Sequence, residues 1–216
     1  HAPDRRARPS DIEAAMPHPL QNRVTPFGEI LAVLSRGTMM GNRGGCFHDS
    51  EQRLKRRRWA SRRWICCVLR FKGRDREVMT PGRYTELFFL DEATALAAGH
   101  RPCAECRRAD YRSFQEAWRR SGLPAAAKAD DMDLLLHGER TAMRDETVRP
   151  PDLPDGAMVA QEEVAYLVNQ HRLFHWSHQG YGAAPGDGVP LHLLTPPAVV
   201  RILASGYTPS IHGSCD

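Results

Sequence analysis

The 216-residue sequence has no apolar run near the roughly 18 residues that a membrane helix needs, so a membrane partner is not expected. Residues His1 to Pro19 carry Arg5, Arg6 and Arg8 but no apolar stretch, so no secretory signal is expected there. Six cysteines are too few for a disulfide framework in a chain this long. Without an export signal they point to a reducing, cytoplasmic setting. Internal repeats and low-complexity tracts are absent. So are a P-loop, a G-x-S-x-G elbow, an H-E-x-x-H helix and the H-x-E of a zinc deaminase, which removes the enzymes those motifs define.

What is present is ordinary in amount and uneven in distribution. Apolar residues make up 41% and charged residues 26%, as in a soluble globular protein. The formal net charge is only +4. Between Glu51 and Arg76, however, eleven Lys or Arg stand against two acids. Six of them fall in Lys55-Arg56-Arg57-Arg58 and Arg62-Arg63, with Trp59 and Trp64 interleaved. A cationic cluster with aromatic surfaces suits a polyanion whose bases can stack, so nucleic acid is the expected partner, DNA favoured. A solvated basic face is the plain alternative.

The pattern along the chain predicts an α+β protein in four parts. A Pro- and Arg-rich tail covers 1–21, a basic domain 22–148, a linker 149–156 (Arg149 to Gly156) and a β-rich module 157–216. In the basic domain one or two hairpins are expected from Asn22 to Gly45 and a polar, helix-prone stretch from Arg53 to Ser61. Strands are expected at Trp64 to Phe71, Glu77 to Met79 and Tyr84 to Leu90. Asp91 sits where an N-cap belongs, ahead of an alanine-rich helix that Gly99 ends. A helix over Asp110 to Ser121 aligns Tyr111, Phe114 and Trp118 on one face, and a third helix lies within 125–144. The last module reads as three short strands, a glycine-rich loop over 180–188, one more strand and a helix capped by Thr195.

Cys103 and Cys106 form C-x-x-C at a helix boundary. Two thiolates at this spacing can grip one tetrahedral ion, and in a reducing compartment the motif marks a metal or a redox site. The run ELFFLDEATALAAGHRPCAEC over 86–106 resembles the second half of the metal-binding domain of the Ada methylated-DNA repair family. A phenylalanine strand, a short helix, its glycine stop and an Arg-Pro-Cys-x-x-Cys knuckle occur in the same order. The resemblance covers about a tenth of the chain. It implies that Cys103 and Cys106 bind Zn²⁺ in a small zinc-knuckle domain.

Upstream the sequence departs from that family, which often uses Cys-x-x-x-Cys. Here only Cys46, His48, Cys66 and Cys67 are available, and methyl transfer is not carried over. Adjacent strand residues face opposite sides, so one of Cys66 and Cys67 can reach the metal. Cys67 is the preferred third ligand, with the phase unsettled. His48 is the preferred fourth, with Cys46 and His100 competing; His100 could instead hydrogen-bond a thiolate.

Arg101, Arg107 and Arg108 flank the knuckle. With Lys55, Arg56, Arg57, Arg58, Arg62 and Arg63 they are expected to meet a phosphate backbone, with Trp59, Trp64 or Tyr84 as stacking surfaces. The leading expectation is a structural-zinc nucleic-acid-binding protein in DNA repair or defence. One rival is a nuclease or DNA glycosylase with catalytic groups among His48, Asp49, His137 and Glu139. The other is a protein-interaction module.

Overall fold

The computed structural model describes residues 18–73, 77–124, 128–142, 147–149, 152–184 and 191–215. They form an α+β fold with two six-stranded sheets. The first contains β1 (Gln21–Val24), β2 (Ile30–Ala32), β3 (Met39–Arg43), β4 (Trp64–Val68), β5 (Leu87–Phe89) and β6 (Arg101–Pro102), in the order β2-β1-β5-β3-β4-β6. β3 runs antiparallel to both β4 and β5, while β6 lies parallel to β4. Gly41 permits this close approach, because a Cβ there would lie 2.1 Å from the Ile65 carbonyl oxygen.

Helix α1 (Glu92–Ala97) is the centre of the molecule, and all six of its residues are buried. Asp91 caps it by accepting from the Thr94 N–H. Gly99, at φ +81°, ends it, with its N–H on Leu96 O and the next N–H on Ala95 O. The small side chains let both sheets close on this helix. Ala95 and Ala98 pack with Val24, Cys66, Leu87 and Phe89 of the first sheet. Ala93 and Ala97 pack with Met158, Leu167 and Tyr181 of the second.

Helices α2 (Arg108–Arg120) and α3 (Ala129–Thr141) follow. α2 buries Phe114, Ala117 and Trp118 and exposes Arg112, Glu116 and Arg119 on the opposite side. The second sheet contains β7 (Thr147–Val148), β8 (Met158–Gln161), β9 (Val164–Asn169), β10 (Arg172–Ser177), β11 (Gly180–Ala183) and β12 (Leu191–Leu193), in the order β11-β10-β9-β8-β12-β7. Helix α4 (Pro197–Ala204) closes it. Phe114, Trp118, Met132 and Leu136 share one apolar cluster with Val159, Tyr166, Val168, Val199 and Ile202. The interval 149–156 therefore does not divide the core, and Leu153 is itself part of it.

Three local expectations are corrected. Arg53 to Ser61 is not helical, because its N–H groups are committed elsewhere: Lys55 to Phe47 O, and Ala60 and Ser61 to Arg43 O. Glu77 to Met79 is not a strand. Met79 has φ +55°, and its N–H donates to the buried Glu86 carboxylate. Gly180 to Ala183, expected within a glycine loop, is edge strand β11 paired with Phe174 to Ser177. Of the tail expected over 1–21, residues 1–17 lie outside the described residues and Gln21 already belongs to β1.

Two buried carboxylates, Asp91 and Glu92, tie the two halves together. Glu92 accepts from Arg107 Nη2 at 2.6 Å, from the Ser210 N–H at 2.9 Å and from Tyr207 Oη at 2.5 Å. Asp91 accepts from Tyr181 Oη and the His212 N–H. Removing one partner of a buried pair strands the other charge, which costs about 3–5 kcal/mol. Glu92→Ala is therefore expected to lower the urea midpoint by an amount worth about 3–5 kcal/mol at constant m-value. Arg112→Ala, on the exposed face of α2, is expected to change it by under about 0.5 kcal/mol.

Candidate metal centre

Strand β4 alternates its side chains between two environments. Trp64 and Cys66 are buried on the α1 side, whereas Ile65 and Cys67 are half-buried and line an open cleft. The knuckle is placed against this strand by β6, where the Cys103 N–H donates to Cys66 O at 2.9 Å. Cys67, Cys103 and Cys106 then meet, each offering one Sγ, all within 4.8 Å of one another. Cys66 is left out. Its sulfur packs in the core and accepts from Arg107 Nη1 at 3.6 Å, and burial raises its thiol pKa.

The three sulfurs interact strongly. Hydrogen bonds from the Cys106 and Cys67 thiols lower the Cys103 pKa, helped by the backbone N–H groups of Cys106 and Glu105. The same interactions raise Cys67, through Cys103 first and then Cys106, and they raise Cys106 through Cys103. Without a cation the triad thus favours one thiolate. A divalent cation removes the conflict by drawing all three sulfurs to the thiolate form. Tetrahedral Zn–S bonds of about 2.3 Å place sulfurs a little under 4 Å apart, within the spacing seen here. The group could hold a metal ion.

The triad opens into a cleft of about 210 Å³. Met40, Asn42, Ile65 and Phe88 form its floor from neighbouring strands, and Tyr84, Glu86 and Glu105 stand at its sides. Arg36 sits over Phe88, 4.3 Å from the ring centre.

His48, expected as the fourth ligand, is elsewhere. Its ring bonds Thr85 Oγ1 at 2.7 Å and Thr80 O at 3.2 Å, and Cys46 Sγ lies 3.8 Å away. The buried hydrogen bond to Thr85 holds the imidazole, so it does not swing toward β4. His100 is not beside the thiolates either. It is fully buried between Trp64 and Phe89 and accepts from Arg43 Nε at 3.4 Å. Burial, with Arg43 and Arg140 close by, holds its pKa well below the usual histidine range.

The cations fall into two groups. Lys55, Arg56, Arg57, Arg62 and Arg63 are exposed, and Arg108 is exposed at the head of α2. Arg58 and Trp59 are half-buried. Arg63 reaches Asp130 at 3.2 Å, an exposed pair of little energetic weight. Arg101 and Arg107, expected to face phosphate, are instead 4% and 5% exposed. Arg101 grips Asp133 through Nε and Nη2, both at 2.8 Å, and Arg107 grips Glu92 and Asp110. Their work is to hold β6 and α1 in place.

The catalytic candidates are not gathered into one site. Asp49 organises an exposed turn by accepting from the N–H groups of Glu51 and Arg53. His137 lies edge-on to Trp59 and Trp64. Both Glu139 oxygens accept from the Ala198 N–H in the first turn of α4. Sequence reasoning missed the stacking of Arg43 and Arg140 on Trp64, at 4.0 and 4.1 Å. The only local signal for it was an arginine closing β3 opposite a tryptophan opening β4.

Among the described residues no helix is long and apolar enough to cross a membrane. Comparison with known protein families, curated proteins and solved structures finds no significant match.

The strand phase gives a sharp test. Cys67→Ala is expected to abolish the metal that survives dialysis, measured by elemental analysis. Cys66→Ala, one residue away but in the core, is expected to retain it at wild-type stoichiometry.

Proposed function

We propose that the chain is a zinc-bearing nucleic-acid-binding protein of a reducing, cytoplasmic compartment, with DNA as the favoured partner in repair or defence. Zinc fits the donor set. Three thiolates are soft ligands, and a d¹⁰ ion of borderline softness completes a tetrahedron with a sulfur, nitrogen or oxygen donor in the fourth position. The likeness of 86–106 to the Ada knuckle supports the same ion, and six free cysteines suit a reducing setting.

The observation that carries the nucleic-acid reading is one of connectivity. The exposed basic residues from Lys55 to Arg63 belong to the segment joining β3 to β4, and these two strands floor the cleft beside the thiols. A backbone held by this loop lies next to a cleft whose half-buried Tyr84 offers a stacking face. With Arg101 and Arg107 committed to buried pairs, Lys55, Arg56, Arg57, Arg62, Arg63 and Arg108 supply the phosphate contacts.

One observation favours a second reading, an enzyme that processes nucleic acid as a nuclease or glycosylase would. Among the described residues three protein ligands, not four, surround the centre, and it faces a cleft. A metal with an open position can bind a reacting group.

Five exposed cations on the loop predict a log–log salt slope of about −4.5 on duplex DNA, or a loss of about 10²–10³-fold between 50 and 200 mM salt. Fluorescence anisotropy with labelled DNA measures this. Reversing Lys55, Arg56 and Arg57 to Glu is expected to remove binding at low salt while leaving the metal in place. Binding that ignores salt, or that survives the reversal, contradicts the proposal.

A further inference from the structure

The face of the first sheet opposite the cysteine cleft carries a second, unrelated concentration of charge. A pocket of about 420 Å³ there is lined by Arg43, Arg58, Arg140, Trp59 and Trp64, with Phe27 at its edge. Trp64 is sandwiched, with the Arg43 guanidinium 4.0 Å and the Arg140 guanidinium 4.1 Å from its ring centre. Arg43 is only 3% exposed.

Elsewhere this fold gives each buried cation a carboxylate: Arg101 has Asp133 and Arg107 has Glu92. Here the pattern breaks. Arg43 donates to the Gly28 carbonyl and to His100, and Arg140 to the Arg62 carbonyl, all uncharged acceptors. Asp133 is near enough to act on Arg140, yet both its oxygens are taken by Arg101. Arg140 Nε and Nη2, Arg58 Nη1 and Trp59 Nε1 are buried donors without any partner among the described residues. Burial and the Arg140 charge push Arg43 down to about 9, and burial does the same to Arg140. An arginine does not give up its proton in a protein, so the imbalance is one of missing negative charge.

Cation–π contact with Trp64 offsets part of the burial of two guanidiniums, but it supplies no acceptor for their N–H groups. Water could accept those bonds and would leave the charge uncompensated. A compact oxyanion does both. Several forked donors around one cavity match a group with three acceptor oxygens and two negative charges better than a carboxylate, which has two oxygens and one charge. The cavity exceeds the size of a bare phosphate, and Trp59 and Phe27 give it flat apolar walls. Burial, and then the charges of Arg140, Arg62 and Arg57, hold the His137 pKa down beside the same tryptophans, so the surrounding potential is positive.

We infer that the pocket between Arg43, Arg58 and Arg140 binds a terminal phosphate monoester, carried by a nucleotide or by the end of a nucleic-acid strand. A monoester delivers two charges, whereas an internal phosphodiester delivers one and needs a path in and a path out. This site is independent of the metal, and although Arg58 lies on the basic loop the ligand needs no backbone held there, since a free nucleotide fills the pocket as well as a strand end does.

Calorimetric titration of the full chain with four probes tests this: adenosine 5′-monophosphate, adenosine, and one short single strand with a 5′-phosphate or a 5′-hydroxyl. Each phosphorylated probe that binds is expected to do so at least about tenfold tighter than its unphosphorylated match. Arg58→Gln and Arg140→Gln are each expected to abolish that difference, with Arg112→Gln, on the exposed face of α2, leaving it unchanged. Arg58 is half-buried at the rim, so its variant keeps the test valid if Arg140→Gln unfolds. Preference for the strand assigns the ligand to nucleic-acid ends, and preference for the mononucleotide assigns it to free nucleotides. Either supports the site. Equal binding with and without phosphate, full binding by Arg58→Gln, or no binding of any phosphorylated probe at millimolar concentration would overturn it. Salt-dependent DNA binding lost on reversal of Lys55, Arg56 and Arg57, with no preference for phosphate ends, would leave the nucleic-acid reading standing and this site refuted.

Discussion

The buried contact between Arg107 and Glu92 holds this architecture together. Arg107 follows Cys106 directly and precedes helix α2, while Glu92 opens helix α1. A carboxylate within 2.6 Å compensates the desolvation of the guanidinium, and Tyr207 and Ser210 satisfy its remaining acceptor capacity. The knuckle, the central helix and the C-terminal segment thus meet at one charge pair. Glu92 even tunes the adjoining thiol chemistry, since its charge adds to the burial that raises Cys66. A protonated, inert Cys66 leaves Cys67 as the thiol of β4 that faces the knuckle.

The first sheet separates two kinds of chemistry because a strand repeats every two residues. On β3, Met40 and Asn42 face the cleft while Arg43 faces the tryptophan pocket; on β4, Ile65 and Cys67 oppose Trp64 in the same way. The cleft gathers soft sulfur ligands with an aromatic rim. The other face gathers guanidinium cations on an indole. Both lie beside the segment that joins β3 to β4, where the exposed lysine and arginines sit, so one loop serves either face.

Much of the local structure was legible from the chain. The Asp91 cap and Gly99 stop are formed as expected, since both rest on backbone rules that neighbours do not override. The pair Cys103 and Cys106 was visible from spacing alone. Cys67 was preferred over Cys66, as the structure has it, but with the phase unsettled, because Val68 and Phe71 are apolar whichever face they occupy. Arg101 and Arg107 were read as surface charge because their carboxylates lie 32 and 15 residues away. A charge count sees composition and not pairing. His48 was placed in the site on proximity to a turn, and Thr85, 37 residues on, claims it. The linker expected at 149–156 has the composition of one, yet helices before it and strands after it bury the same apolar cluster.

The proposed function requires that Cys67, Cys103 and Cys106 together hold one zinc ion. Zinc K-edge absorption on protein purified without added metal tests it most directly. The proposed function predicts one zinc per chain with three sulfur neighbours at about 2.3 Å and one lighter neighbour. It also predicts that Cys67→Ser, where any zinc is retained, lowers the sulfur count. No zinc in the wild-type protein, or a sulfur count unchanged by Cys67→Ser, would contradict it.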